Sequence, residues 1–305
     1  MIDFRVVNKA AEVEGLMEQG YVPIECSVDG KSIVDAFGMD HHGTMSYNPP
    51  VSLMAMSPTH YGAGRNRVGF VTVGSPDADA CWAVAAMLAL VPNDESAMQL
   101  AETIGVLDID PIGRDILNMP GGRLVALWNT LMGGVGADDL GFSMGVRLWQ
   151  TLTNKVSVSR LAPYLKGAED AEVERRKLAQ EDMEQGWRTQ GILTIPQANV
   201  FGFDVWYSRC GEDGDPRDAA SWKNPVVIAR NAIHGHITIG CPNKHVAEEL
   251  FGNGGLANLW KKLDAGVAEG WGGHASVGGS PRGMKFDVDV LDVIESIIVE
   301  NMFLE

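Results

Sequence analysis

The chain is poor in basic residues: 24 Lys and Arg stand against 40 Asp and Glu, for a formal net charge of -16 with His neutral. Binding along a phosphate backbone draws on lysines and arginines that displace counterions, so long nucleic acid is excluded as the main partner. A small anionic substrate is not excluded, because a local metal or a glycine-rich loop outweighs the average field. Cysteine is scarce as well. Cys26, Cys81, Cys210 and Cys241 lie far apart with no C-x-x-C pair to mark a zinc or redox site, which points to reduced, mostly buried thiols. Long apolar runs are missing. The run over 82–91 is too short to cross a bilayer, and Met1-Ile2-Asp3-Phe4-Arg5 lacks the apolar core of a signal peptide. The expectation is a cytoplasmic protein with no membrane partner.

What is present reads as soluble and globular, with 45% hydrophobic and 21% charged residues. At 305 residues the chain exceeds the usual size of one domain, so two are expected. Val6, Ala10, Val13 and Met17 have helical spacing ahead of Gly20, which predicts a first helix over 5–18. Residues 21–26 and 32–37 are short apolar runs around Asp29-Gly30 and read as two strands. A further strand is expected over 51–56. Residues 67–90 read as strand, turn and helix. Segments over 121–165 complete the first domain by covering its sheet, and the charged, helix-forming stretch over 166–190 reads as an exposed helix joining two domains. Beyond Gly191 the apolar period shortens: strands are expected over 192–195, 200–207, 225–229 and 236–239, and helices over 246–251 and 256–263.

Candidate chemistry concentrates in four places, with His60 beside the first. The run Ile33-Val34-Asp35-Ala36-Phe37 leads through Gly38-Met39 into Asp40-His41-His42, a carboxylate beside two imidazoles. That donor set suits Mn, Fe, Co or Zn, and the run places it at an expected strand end. His60, in the loop beyond, reads either as a surface histidine or as a metal or substrate contact. Ser75-Pro76-Asp77-Ala78-Asp79 sits at the strand-to-helix turn, where Ser75 suits an N-cap, Pro76 the first helical position, and both acids the positive end of the helix dipole. The same D-x-D spacing also offers two hard oxygen ligands, and both readings stand. Asp108 or Asp110, near Pro111, can add another carboxylate; spacing does not choose between them. Near the end, Gly270-Trp271-Gly272-Gly273-His274-Ala275-Ser276-Val277-Gly278-Gly279 lets backbone amides approach a ligand closely or turn where side chains would clash, and His274 and Arg282 add groups suited to an oxyanion. Trp271 reads as a base-stacking ring or, more simply, an aromatic anchor between domains.

Asp40-His41-His42-Gly43 followed by Gly272-Gly273-His274-Ala275-Ser276-Val277-Gly278-Gly279 resembles the DHH phosphoesterase superfamily with its DHHA1 accessory domain, best over 225–288. The resemblance implies an α/β chain. A mainly parallel sheet with flanking helices would form a metal and catalytic domain over 1–165, with a linker helix over 166–190 and a smaller mixed-sheet α/β substrate-binding domain over 191–305. It also implies hydrolysis of a phosphoester or phosphoanhydride by one or two divalent ions, commonly manganese. The substrate would be a small phosphorylated compound such as a short oligonucleotide, a nucleotide phosphate or a cyclic dinucleotide, and a homodimer is compatible with this.

By resemblance Asp40, His41 and His42 are the catalytic residues, with Asp40 and His41 on metal and His42 facing the phosphate. Asp77, Asp79, and Asp108 or Asp110 are further ligands, and Gly272, Gly273, His274, Arg282 and His60 are substrate contacts. The chain departs from the family in one respect: no H-x-x-x-D-x-D motif precedes Asp40, and the nearest match, Asp77-Ala78-Asp79, follows it with Val73 where the histidine belongs. Either the motifs are permuted, or the chain is a nucleotide- or phosphate-binding scaffold with a degenerate metal site.

Overall fold

The computed structural model describes residues 2–28, 31–45, 47–109, 111–112, 114–155, 158–211, 214–273, 275–281 and 283–302. They fall into two units, Met1–Glu172 and Val173–Glu305. Among the described residues, no helix is long and apolar enough to cross a membrane.

The first unit is α/β. Strand β1 (Asp3–Val7) leads through helix α1 (Ala10–Glu18) to β2 (Tyr21–Pro23), and a two-residue hairpin of β3 (Ser27–Val28) and β4 (Lys31–Ser32) follows. After helix α2 (Val51–Ala55) comes β5 (Gly69–Val73), which runs parallel to both earlier strands and lies between them, in the order β1-β5-β2. A strand paired on both sides in a parallel sheet is covered on both faces, as Phe70 and Val71, both wholly buried, show. Gly69 is required by close approach: a Cβ there would stand 2.4 Å from the Asp3 carbonyl oxygen.

Helices α3 (Ala78–Met87), α4 (Glu95–Ile109), α5 (Gly122–Met132) and α6 (Asp139–Gln150) complete the layer. Nine of the ten α3 residues are buried, the mark of a helix that runs through a core. Trp82 meets Trp149 edge-on, and Trp149 stacks on Trp128. Each fully buried apolar side chain such as Met87 contributes about 1.5–3 kcal/mol, so the first turn of α3, which carries Asp79, is held by a rigid body.

Three local expectations in this unit are corrected. The helix expected over 5–18 is β1 followed by a shorter helix, because Val6 and Val7 pair with Thr72 and Val73 across the sheet. The strand expected over 32–37 ends at Ser32, and Asp40 to His42 lie in an irregular segment rather than at a strand end. There the Asp35 carboxylate accepts the Phe37 N–H, a local bond that competes with sheet pairing. The strand expected over 51–56 is α2, because a distant carboxylate, Asp79, accepts its first two amides.

The second unit begins within α7 (Val158–Gln185) and holds a six-stranded mixed sheet. Its strands are β6 (Trp187–Thr189), β7 (Ile192–Ala198), β8 (Val226–Asn231), β9 (Ile237–Gly240), β10 (Gly272–Gly273) and β11 (Val277–Gly279), in the order β10-β11-β9-β8-β7-β6. Among the described residues of this sheet, β7 and β8 pair in parallel and the other neighbours are antiparallel. The strand expected over 200–207 is a short helix, α8 (Phe203–Trp206), tied down where the Trp206 indole donates to the Ala179 carbonyl and Asp182 accepts the Asn199 amide. Helices α9 (Lys244–Phe251), α10 (Ala257–Gly266) and α11 (Val290–Asn301) complete the unit.

The glycine-rich stretch forms the β10–β11 hairpin, with Gly273 opposite Gly278. A Cβ on Gly273 would lie 2.2 Å from the Gly278 Cα, and Gly273 has φ +152°. Gly273→Val is therefore expected to destabilise the second unit by about 3 kcal/mol or more, combining overpacking with a strained backbone. Chemical denaturation followed through the tryptophans checks this, and an unchanged midpoint would refute it. Trp271 is buried against Phe286 of the same unit, which makes it an anchor inside this unit.

Candidate metal centre

Four segments of the first unit deliver acids or imidazoles to one point. Glu25 follows β2, where the parallel sheet ends. Its N–H donates to the Met39 carbonyl, and its φ of +52° is left-handed, a conformation costly for a side-chain-bearing residue. The irregular segment brings in His41 and His42. The first turn of α3 supplies Asp79, and the last turn of α4 supplies Asp108.

The imidazole of His41 is the hub. Its Nε2 lies 2.7 Å from Glu25 Oε1, 3.1 Å from Asp108 Oδ2 and 3.5 Å from Asp79 Oδ2. One donor atom from each of these four residues lies within 4.8 Å of all the others, and Glu25, His41 and His42 form a second group within the same limit. Donors held at about 2.1 Å from an ion stand about 3.0 Å apart when adjacent and about 4.2 Å when opposite. The cluster therefore has the dimensions of a coordination shell, and it can hold a metal ion.

The electrostatics agree. Glu25, His41 and Asp79 are buried. Burial opposes a charge on His41, but hydrogen bonds to Asp108, Asp79 and Glu25 outweigh it and push the imidazole up to about 12. His42 is raised too, burial opposing and Glu25 prevailing; its ring packs 4.2 Å from that of His41. Asp108 sits at the negative end of the α4 dipole, where a carboxylate is disfavoured unless a cation compensates. Three carboxylates around one imidazole attract a cation: without metal that cation is the proton on His41, and a divalent ion bound there would displace it.

The two acids of the D-x-D turn divide their work. Asp77 is the N-cap of α3, its Oδ1 accepting the Ala80 N–H at 2.9 Å, so the cap expected of Ser75 lies two residues later. Asp79 turns inward, accepts the amides of Val51 and Ser52 at 3.0 Å each, and faces His41. Asp77 lines an open recess of about 230 Å³ with Ser75, Trp128, Asn129, Gly133 and Gly136. Its side chain reaches solvent, but the protein packed around it and the carboxylates of Glu25, Asp108 and Asp79 raise its carboxyl above the ordinary range. Asn serves as an N-cap about as well as Asp and Ala does not. Asp77→Asn is thus expected to melt like the wild type and Asp77→Ala to lose about 1 kcal/mol. Equal melting of the two variants would deny the cap.

Asp40 lies outside both donor groups. It is wholly buried, its Oδ1 accepts the His42 N–H at 2.8 Å, and its Oδ2 has no hydrogen-bond partner among the described residues. His60 is not brought to the cluster: its Nδ1 pairs with Ser57 Oγ at 2.7 Å and its Nε2 with the Phe37 carbonyl at 3.1 Å. Asp110, His274 and Arg282 lie outside the described residues. Glu25 is the member that sequence reasoning missed. Its signal was a lone acid in the apolar run Tyr21-Val22-Pro23-Ile24-Glu25-Cys26, just past a strand end.

No protein-family model matches the sequence, and no curated protein matches it. Among solved structures the chain is similar to a pGpG-specific phosphodiesterase, PggH, from Vibrio cholerae, with 15% identity and a TM-score of 0.39. The alignment covers 65% of this chain and 64% of that one, so it spans under two thirds of that protein's length.

Proposed function

We propose that the first unit is a DHH-type phosphoesterase that binds one or two divalent cations, manganese foremost, and hydrolyses a phosphoester or phosphoanhydride bond in a small phosphorylated substrate. A short oligonucleotide, a nucleotide phosphate and a cyclic dinucleotide are the substrate classes in view. The observation that carries this reading is the convergence of three acids from three separate segments on one buried imidazole. Three carboxylates and an imidazole, with no thiolate, form an oxygen-rich set that suits Mn over softer metals. A bound divalent ion supplies charge neutralisation at the attacked phosphate and lowers the pKa of water.

The chain's own groups have distinct parts. Asp79 is held by two backbone amides and keeps one orientation. His42, part-exposed beside His41 with its Nε2 3.5 Å from Glu25 Oε1, is proposed to face the phosphate and to give a proton to a phosphoryl or leaving oxygen. The second unit, with its Gly272-Gly273 hairpin, His274 and Arg282, is proposed to recognise the substrate.

The alternative of a scaffold with a degenerate metal site is weakened, because an acid that follows Asp-His-His in sequence stands beside it in space. The test is phosphate or nucleotide release across a panel of dinucleotides, nucleotide phosphates, pyrophosphate and polyphosphate. The protein would be stripped with chelator and reconstituted with Mn, Mg or Zn. Turnover that requires metal is expected, with Mn the most active. Full metal occupancy with no release from any compound would return the scaffold reading.

A further inference from the structure

The second unit carries a recess of about 360 Å³ that the metal chemistry does not use. Its floor is one face of the sheet where β7, β8 and β9 present small side chains side by side: Ala229 is opposite Thr238, and Ala198 is opposite Asn231. Small residues at neighbouring positions leave a hollow that larger ones would fill. Its wall is aromatic, from Phe201, Phe203 and Trp206, with ring centroids 5.1 Å apart for Phe201 and Phe203 and 5.0 Å for Phe203 and Trp206. Phe201 is 68% exposed although it sits against this wall.

Polar groups ring the recess. Asn231, His234, His236 and Thr238 line it, and among the described residues no Asp, Glu, Lys or Arg does. Two of them are oriented by bonds of their own: Asn231 Oδ1 accepts the amides of Ile233 and His234, and His236 Nδ1 pairs with Ser280 Oγ at 2.8 Å. Among the described residues no Lys or Arg lines the recess to fix an anion such as phosphate, and a purely aliphatic ligand would leave the polar rim unused. A flat ring with hydrogen-bonding edges uses both, stacking on the aromatic wall while its edge meets the amide, imidazole and hydroxyl groups. The volume lies within the range of small-molecule sites, roughly 300–1,000 Å³.

We propose that this recess is a binding site for an uncharged planar heteroaromatic ring, the nucleobase of a nucleoside. The site belongs to the second unit and does not depend on hydrolysis at the metal centre. Its test therefore omits metal and phosphate. The full-length protein in chelator is titrated calorimetrically with adenosine, guanosine, cytidine and uridine, and with ribose 5-phosphate and indole as comparisons. At least one nucleoside is expected to bind with a Kd of about a millimolar or tighter, ribose 5-phosphate is not, and Phe201→Ala is expected to weaken the nucleoside by about tenfold through lost stacking. The exposure of Phe201 leaves the fold of that variant intact, which thermal melting verifies; Ala229→Met, which fills the floor, should abolish binding. The proposal is overturned if no nucleoside binds at millimolar concentration, if Phe201→Ala binds as the wild type does, or if indole binds and nucleosides do not. Loss of hydrolysis with nucleoside binding intact would instead count against the metal-centre reading alone.

Discussion

Replacing His41 with alanine is expected to strip the protein of tightly held divalent metal and to abolish metal-dependent hydrolysis. His41 belongs to both donor groups, so neither can be completed without it. The same substitution should destabilise the metal-free protein. Its imidazolium stands within 3.5 Å of Glu25, Asp79 and Asp108, and removing it leaves three carboxylates facing one another with little water to screen them. Breaking a buried ion pair in this way costs about 3–5 kcal/mol, which for a unit of this size corresponds to a fall of about 10 °C in Tm. Metal content by elemental analysis and melting in excess chelator read the two effects separately. Wild-type metal content in His41→Ala would remove the cluster from consideration as a metal centre.

Glu25→Gln is expected to behave differently, and the contrast is diagnostic. Gln keeps the length and shape of the side chain, so packing around the left-handed backbone at this residue is preserved. In the metal-free protein the change loses attraction to His41, at 2.7 Å, but also relieves repulsion among Glu25, Asp79, Asp108 and Asp77. These opposed effects largely cancel, and Tm in chelator should move by no more than about 2–4 °C, the equivalent of roughly 1 kcal/mol. With metal the balance is one-sided, because a charged oxygen common to both donor groups has been replaced by a neutral amide. Loss of an outer-sphere partner costs roughly 10–100-fold in metal affinity, and loss of a direct carboxylate should cost at least that. Manganese titrations on wild type and variant measure it. An affinity within twofold of wild type would exclude Glu25 as a ligand.

Much of the chemistry was legible in the sequence because it depends on residue type and short spacing. Asp40-His41-His42, Asp77-Ala78-Asp79, and Asp108 or Asp110 could be named as donors without a structure, and His41, Asp79 and Asp108 do meet at one point. The resemblance carried by those motifs implied an α/β chain, and the three-stranded parallel sheet with its helices and the separate mixed sheet have that character. The glycine-rich stretch left open a ligand approach or a turn without side-chain clash, and in the structure Gly273 faces Gly278 across a hairpin.

The tertiary structure decided which acids belong together and which elements carry them. Glu25 lies 16 residues before His41, in a run whose pattern speaks only of burial, and it joins the cluster because the chain leaves the sheet there and turns back. Asp77 and Asp79 are equivalent by composition and by distance from the strand. One caps the helix and the other faces the imidazole because two residues of helix rotate their side chains by about 200°. The helix at 51–55 was unreadable locally, since the carboxylate that receives its first amides comes from 27 and 28 residues further along. A sequence pattern records what each side chain is and how often a face repeats, whereas convergence depends on loop paths between elements, and those are set by contacts far apart in the chain.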